Sequence, residues 1–390
     1  MSVESVCDKT AIVGIGSTEF SRNCGRSELH MALEAILEAV EDAGLQVEDI
    51  DGMVNYTLDT AAEQVEIVRA LRIPNLSFFS KTPYGGGGSC GTVAHAVAAV
   101  SAGLANYVVC VRSIRDASGI KFGDFEPTRV STDVYMGMYH PYGLLTPVSW
   151  DGMFAQRYIH KYGIKDGQFA SVALVNREHA NRNPNAMFYD RPLTMEEYLD
   201  SPMNVAPLRR HDCCLSTDGA VAVIVTTAER AKHLKQRPAY ISGAIQGTST
   251  NGEVMTSFYR PDIAEFPEIA QYGKDLFKMA GVTPKDIDVA QFYDAFSPLV
   301  PMQLEALGFV GAGEGVGFCE GGDRIRLGGE LPINTAGGLM SEGYLHGMNL
   351  ITEGVRQIRG TSTTQVEDAE LALVTSGPGV PSSGLILKRR

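Results

Sequence analysis

The chain has 390 residues, 44% hydrophobic and 20% charged, the balance of a folded globular protein and not of a disordered one. Asp and Glu number 46 against 33 Lys and Arg, a formal charge of −13. A field this acidic argues against nucleic acid or an anionic membrane as partner, leaving only a local basic patch open. The length suits two domains or one duplicated one, with ample material for a core.

Seven cysteines (Cys7, Cys24, Cys90, Cys110, Cys213, Cys214, Cys319) form no CxxC and no zinc spacing, so reduced, mostly buried thiols and no metal site are expected. The opening MSVESVCDKT leads straight into a strand-like segment without a secretory pattern, and a cytoplasmic protein is expected. Thr82 to Val111 carries no charge but is rich in Gly and Ala. It reads as a loop, a buried helix and a strand, not as a bilayer span.

Periodicity predicts, in chain order, a strand over Ala11–Ile15 and a helix with Leu29, Leu33, Ile36 and Val40 on one face. Next come a strand over Met53–Leu58, a helix over Ala61–Arg72 and a strand over Leu76–Phe79. A small-residue helix over Thr92–Ala102 and a strand over Tyr107–Val111 complete the run. This βα alternation predicts a mostly parallel, buried sheet. From about Ser113 to Arg210 the pattern breaks into a polar excursion with its own helices, over Trp150–Tyr162 and Asp166–Asn181. An apolar strand resumes at Gly219–Thr226.

The C-terminal third repeats the first. Ala43-Gly-Leu-Gln-Val-Glu-Asp-Ile-Asp51 and Ala280-Gly-Val-Thr-Pro-Lys-Asp-Ile-Asp288 share five of nine residues. Each follows an amphipathic helix and precedes a strand, here Met53–Leu58 and Val289–Tyr293. Elements over Pro301–Leu307, Leu331–Asn334, Met348–Arg359, Leu371–Val374 and Leu385–Leu387 complete the second copy. The predicted organisation is an N-terminal half (1–112 plus 211–235), an inserted loop domain (113–210) and a C-terminal half (236–390).

Two α/β halves with an insertion in the first, and glycine-rich turns leading into buried helices, resemble the thiolase fold. Leu215-Ser-Thr-Asp-Gly-Ala-Val-Ala222, Phe292-Tyr-Asp-Ala-Phe-Ser297 and Asn334-Thr-Ala-Gly-Gly-Leu-Met-Ser-Glu-Gly-Tyr344-Leu-His-Gly347 are similar to motifs of the SCP-x thiolase branch. The resemblance implies an α/β fold of two βαβαβαββ halves. The departures from it are chemical. Counting back from Ala102-Gly103, the nucleophilic Cys of a thiolase falls on Gly86, with Cys90 one helical turn further on. Tyr293 and Tyr344 stand at the two catalytic His positions, and the Cys expected near Thr375-Ser-Gly-Pro-Gly379 is absent. These substitutions resemble the thiolase-like steroid side-chain aldolases. That resemblance implies retro-aldol cleavage of a β-hydroxyacyl-CoA, without a cofactor. It also implies a homodimeric core and an OB-fold/zinc-ribbon partner, which alone holds zinc. An acyl-CoA thiolase using Cys90, or a non-catalytic acyl-CoA-binding subunit, are the alternatives.

Retro-aldol cleavage needs a base for the β-hydroxyl proton, and donors for the thioester enolate that forms. Tyr293 and Tyr344 are assigned jointly to these duties, a phenolate role requiring a lowered pKa. Asp294 would orient a tyrosyl or a water, and His346 would be a base or proton relay. Gly86 and Gly87 would admit the substrate where a side chain would collide. Asn334 and Gly338 would shape the substrate-binding loop. The run Arg209-Arg210-His211 reads as a solvated charge cluster, or as charge for CoA phosphates.

Overall fold

The computed structural model describes residues 6–57, 61–83, 85–119, 138–250, 252–253, 256 and 258–390. The first half runs β1 (Thr10–Ser17), α1 (Glu28–Ala43), β2 (Gly52–Tyr56), α2 (Gln64–Leu71), β3 (Phe78–Thr82), α3 (Ser89–Ser101) and β4 (Val108–Arg115). The excursion holds α4 (Pro147–Tyr162), α5 (Ala170–Ala180), α6 (Met195–Asp200) and a small hairpin of β5 (Met203–Val205) and β6 (Leu208–Arg209). It leads to β7 (Asp218–Thr227) and α7 (Ala228–Ala231). The second half runs β8 (Ala239–Gly247), α8 (Pro267–Ala280), β9 (Val289–Gln291), α9 (Leu299–Ala306), α10 (Gly315–Cys319), α11 (Gly338–Ser341), α12 (Met348–Arg359), β10 (Leu371–Thr375) and β11 (Ser382–Lys388).

The duplication is carried residue by residue. Gly44 and Gly281 end α1 and α8 in the left-handed conformation, at φ 73° and 69°, where a side chain would be strained. A 3₁₀ turn follows each, fastened by Asp49 accepting from Gln46 N at 2.8 Å and Asp286 from Thr283 N at 2.7 Å. The last aspartate of each copy then pins the strand beside it. Asp51 accepts from Asn106 N and Tyr107 N just before β4, and Asp288 from Glu370 N and Leu371 N at the start of β10.

The strands form one sheet in the order β3-β2-β4-β7-β1-β8-β11-β10-β9. It is mixed, which corrects the mostly parallel sheet expected from the sequence. β2 is parallel to β3 and β4, and β9 to β10, but β7 and β11 run antiparallel to their neighbours, and β1 meets β8 antiparallel. Continuous apolar runs report burial on both faces and not direction, and six residues joining β10 to β11 suffice for a hairpin. Some boundaries also move. The strand expected at Leu331–Asn334 is reduced to a single parallel bridge, Ala290 with Ile333. The strand at Leu76–Phe79 slides to Phe78–Thr82, and the helices at Ala61–Arg72 and Asp166–Asn181 shorten to Gln64–Leu71 and Ala170–Ala180.

The helices α3 and α12 are sunk in the core, and their N-termini, after Gly86–Gly88 and Gly347 respectively, open beside the loops that follow β9 and β10. No described helix is long and apolar enough to cross a membrane.

Candidate active site

Tyr293 lies two residues beyond β9, and its backbone is clamped. Its N–H donates to Thr375 Oγ1 at 2.9 Å, and its carbonyl accepts from Gln303 Nε2 at 2.8 Å. Thr375 in turn donates to Gln303 Oε1 at 2.6 Å. Tyr344, on the loop before α12, is anchored by its N–H to Thr217 Oγ1 at 2.9 Å. The two hydroxyls, 51 residues apart in sequence, meet at 3.0 Å. Burial pushes both phenols well above their ordinary pKa, so they stand as neutral donors. Of the two duties expected of them, this direction suits donation to an oxyanion, since a phenolate needs a shift the other way.

The Tyr293 ring sits between two glycines. A Cβ on Gly86 would fall 2.0 Å from its hydroxyl oxygen, and a Cβ on Gly377 2.9 Å from Cε1. Gly377 N donates to Gly86 O at 2.9 Å, tying the two loops together. Gly86 is the expected position of a thiolase nucleophile, and Gly377 lies in the loop expected to carry the second Cys. The phenol therefore occupies the space between them. Cys90 is fully buried, its N–H donating to Ser376 Oγ at 2.9 Å, and burial pushes its thiol up to about 12. A thiol held that high supplies almost no thiolate, which removes the reading of Cys90 as a nucleophile.

His346 is brought to the pair, its ring centred 4.7 Å from that of Tyr344 and tilted 48° to it. Its Nδ1 lies 3.2 Å from Nη2 of the buried Arg112. A guanidinium only donates, so Nδ1 accepts and the ring proton sits on Nε2. Burial, with Arg112 adding to it, drives the imidazole well below its ordinary pKa. His346 is thus a neutral imidazole that presents its Nε2–H beside the tyrosine pair, with Nδ1 taken by Arg112.

The remaining expected residues are placed behind the site. Asp294, next to Tyr293, turns away from the cavity. It accepts from Leu339 N at 2.8 Å, Met340 N at 3.3 Å and Asn176 Nδ2 at 2.7 Å, and burial raises it to about 7. A Cβ on Gly338 would strike its carboxylate at 2.3 Å, so the close approach of the loop to Asp294 requires the glycine. Asn334 Oδ1 accepts from Phe292 N at 2.7 Å, fixing the same loop. Gly87 is packed on backbone, a Cβ there falling 1.6 Å from Pro381 O. Asp294, Asn334, Gly338 and Gly87 thus lie behind the cavity and not on its lining.

The tyrosines, His346 and Gly86 line a cavity of about 310 Å³. Its other wall comes from the excursion: Val148, Trp150 and Asp151 on α4, and Cys213 to Ser216 before β7. Asp151 carried a signal in the sequence. It stands three, four and seven residues before Phe154, Ala155 and Tyr158, which α4 buries, so helical spacing places a carboxylate on the apolar face. The wall cysteines carried none; Cys213 is pushed up to about 12 by burial. Among the described residues no cluster of His, Cys, Asp or Glu could hold a metal.

Residues 249–388 match the family described as Thiolase C-terminal domain-like. The 17-hydroxy-3-oxo-4-pregnene-20-carboxyl-CoA lyase of Mycobacterium tuberculosis is 48% identical over 384 residues, which cover 97% of this chain and 99% of that one. The chain belongs to the thiolase superfamily, in its aldolase branch. A steroid side-chain-cleaving aldolase of Thermomonospora curvata is 47% identical over 97% of each chain. A solved structure described as an Ltp2–ChsH2(DUF35) aldolase covers 99% of each chain at 45% identity, with a TM-score of 0.93. A thiolase-fold aldolase accounts for what the geometry shows: a thiolase site whose nucleophile position has been given to a phenol.

Proposed function

We propose that this thiolase-fold aldolase cleaves the CoA thioester of a steroid side chain bearing a hydroxyl β to the thioester carbonyl. The observation that carries the reading is the Tyr293–Tyr344 hydroxyl pair standing where Gly86 leaves no nucleophile. If the substrate matches the name of the mycobacterial relative, with a 17-hydroxyl and the carboxyl on C20, the C17–C20 bond breaks. The products are then a 17-ketone and propionyl-CoA.

Cleavage proceeds when the β-hydroxyl loses its proton, its oxygen electrons form the ketone, and the carbon–carbon bonding pair passes into the thioester as an enolate. Neutral phenols donating to the thioester oxygen stabilise that charge, the more strongly the less water reaches it. The N–H of His346 lies beside them. Trp150, Leu215, Phe296 and Leu299 on the cavity wall suit a ring system, which contributes burial and not polar contacts. Arg22 and Arg210, on a polar cavity that shares Cys213 to Ser216 with the first, offer charge for the CoA phosphates. The electrons stay within the substrate throughout, so the reaction needs no cofactor.

The assembly proposed is a homodimer with an OB-fold/zinc-ribbon partner of the DUF35 kind, zinc belonging to the partner alone. Support comes from the solved Ltp2–ChsH2(DUF35) aldolase and from β3. That strand ends the described sheet with Phe79 68% exposed, an edge open to pairing with a second copy.

The test is to assay the chain with such a partner on a panel of β-hydroxyacyl-CoA thioesters, following ketone and short acyl-CoA together. Equal release of both from a steroid substrate is expected. Release of neither from any member, with CoA affinity retained, would instead support an acyl-CoA-binding subunit.

A further inference from the structure

The cleavage step needs an acceptor for the hydroxyl proton, and the groups around the tyrosine pair are donors. Tyr293 and Tyr344 are held neutral, and His346 presents N–H because its Nδ1 faces Arg112. Cys213 and Cys214 on the opposite wall are kept as thiols by burial. Two carboxylates share that cavity, Asp116 and Asp151, and Asp116 has interactions of its own.

Asp151 differs from Asp116 in this respect. It sits in the first turns of α4, itself half-buried and at helical spacing from the buried Phe154, Ala155 and Tyr158. Its Oδ1 is shielded from solvent and accepts no hydrogen bond from a described residue. Among the described residues no cation lies within ion-pair distance of it. Arg260 is the charge that acts on Asp151; its Nη1 contacts both oxygens of the buried Glu268, at 3.0 and 2.8 Å, while its Nε and Nη2 are buried and donate to no described residue. A buried carboxylate oxygen without a partner is costly, and such costs are retained where a ligand completes the site.

We infer that Asp151 is the general base of the retro-aldol step, its empty oxygen receiving the β-hydroxyl of the substrate. This rests on the retro-aldol reading of the same cavity. The O–H bond breaks and its proton passes to the Asp151 carboxylate, while the carbon–carbon bond breaks to give ketone and enolate. The resulting carboxylic acid returns the proton to the α-carbon, so the enzyme ends in the state in which it began. The environment suits a base, because burial raises this carboxyl to about 8, with Arg260 opposing. A base is most effective with a pKa near the working pH. The titratable groups that line the cavity with it are Asp116, Cys213, Cys214, Tyr293, Tyr344 and His346, and Arg260 acts on it from beyond that lining; Asp116 and Arg260 are the charged ones.

The test uses the complex with its partner, after ketone release by the native enzyme has been established. Absence of that release would overturn the retro-aldol reading itself, whatever Asp151 does. For the native enzyme, kcat/KM is expected to rise with pH through a midpoint near about 8 and to level off above it, the carboxylate being the active form. Asp151→Asn should cut kcat by about 10²–10⁴-fold and abolish the rising limb, with KM changed much less. Asp151→Glu should restore part of the rate and bring the limb back. Asp151→Asn with native kcat and an intact limb would overturn the proposal. So would a rise in KM alone, which marks a positioning role. If Asp151→Asn fails to fold, the native profile decides, since no limb, or one below about 6, is not that of this carboxyl.

Discussion

Gly86 and Tyr293 exclude each other's side chains: a Cβ on the glycine would lie 2.0 Å from the phenol oxygen. The contact is too short for any relaxation short of moving the ring, and the backbone that carries the ring is pinned through Thr375 and Gln303. Gly86→Ala is therefore expected to displace the Tyr293 hydroxyl from Tyr344. The loss in kcat should approach that of removing the hydroxyl outright, about 10²-fold or more, with the fold intact by circular dichroism. Gly86→Cys should fail to create thiolase activity, because the phenol stands where the thiol must reach. Native turnover in Gly86→Ala would show that the pair is not needed.

Removing each hydroxyl directly separates chemistry from packing. Tyr293→Phe and Tyr344→Phe keep the rings and each should lower kcat by about 10²–10³-fold. The double variant should be little worse than the poorer single one, since groups acting as a unit are not additive. Steady-state kinetics with the partner present checks this. Losses that multiply would mean two independent roles.

Asp294 shows a different profile in the structure. Its carboxylate accepts from Leu339 N and Met340 N, and Asn in its place sets an NH₂ against those N–H groups or leaves one of them unpaired. Asp294→Asn should cost about 1–3 kcal/mol of stability, read from denaturant unfolding, and should change kcat far less than either tyrosine variant. A kcat loss as large as theirs without loss of stability would return Asp294 to the catalytic group.

How much of this was legible in the sequence follows from what each pattern encodes. Ala43–Asp51 and Ala280–Asp288 disclosed the duplication because the same glycine cap and the same aspartate anchors are needed twice. Tyr293 and Tyr344 could be assigned because they fall inside ordered motifs. Strand direction could not be read, since buried runs look alike in either orientation. Nor could the aim of Asp294, which follows Tyr293 in a loop where no periodicity fixes alternate side chains. Asp151 was within reach, standing at helical spacing from Phe154 and Tyr158. Recognising it needed the knowledge that this face of α4 meets the cavity, which only long-range packing supplies.

A pH signature follows from the buried acids. Burial raises Glu342 to about 8, although it accepts from Asn349 Nδ2 at 2.8 Å. An acid whose folded pKa exceeds its unfolded value adds stability that is complete below about pH 4 and is lost as pH rises through the folded pKa. The melting temperature should therefore fall between about pH 5 and about 9, and Glu342→Gln should flatten that fall. Differential scanning fluorimetry across the range checks both. A variant with an unchanged slope would contradict this assignment.

With a phenol in the nucleophile's place, carbon–carbon cleavage must proceed with no acyl-enzyme. Intact-protein mass spectrometry during turnover, with ketone and short acyl-CoA quantified in the same samples, reads this without a variant. Unmodified protein is expected at every time point, with one ketone per acyl-CoA, no requirement for added CoA, and the same behaviour in Cys90→Ala. An acyl mass on any cysteine, or cleavage that depends on free CoA as co-substrate, would refute it.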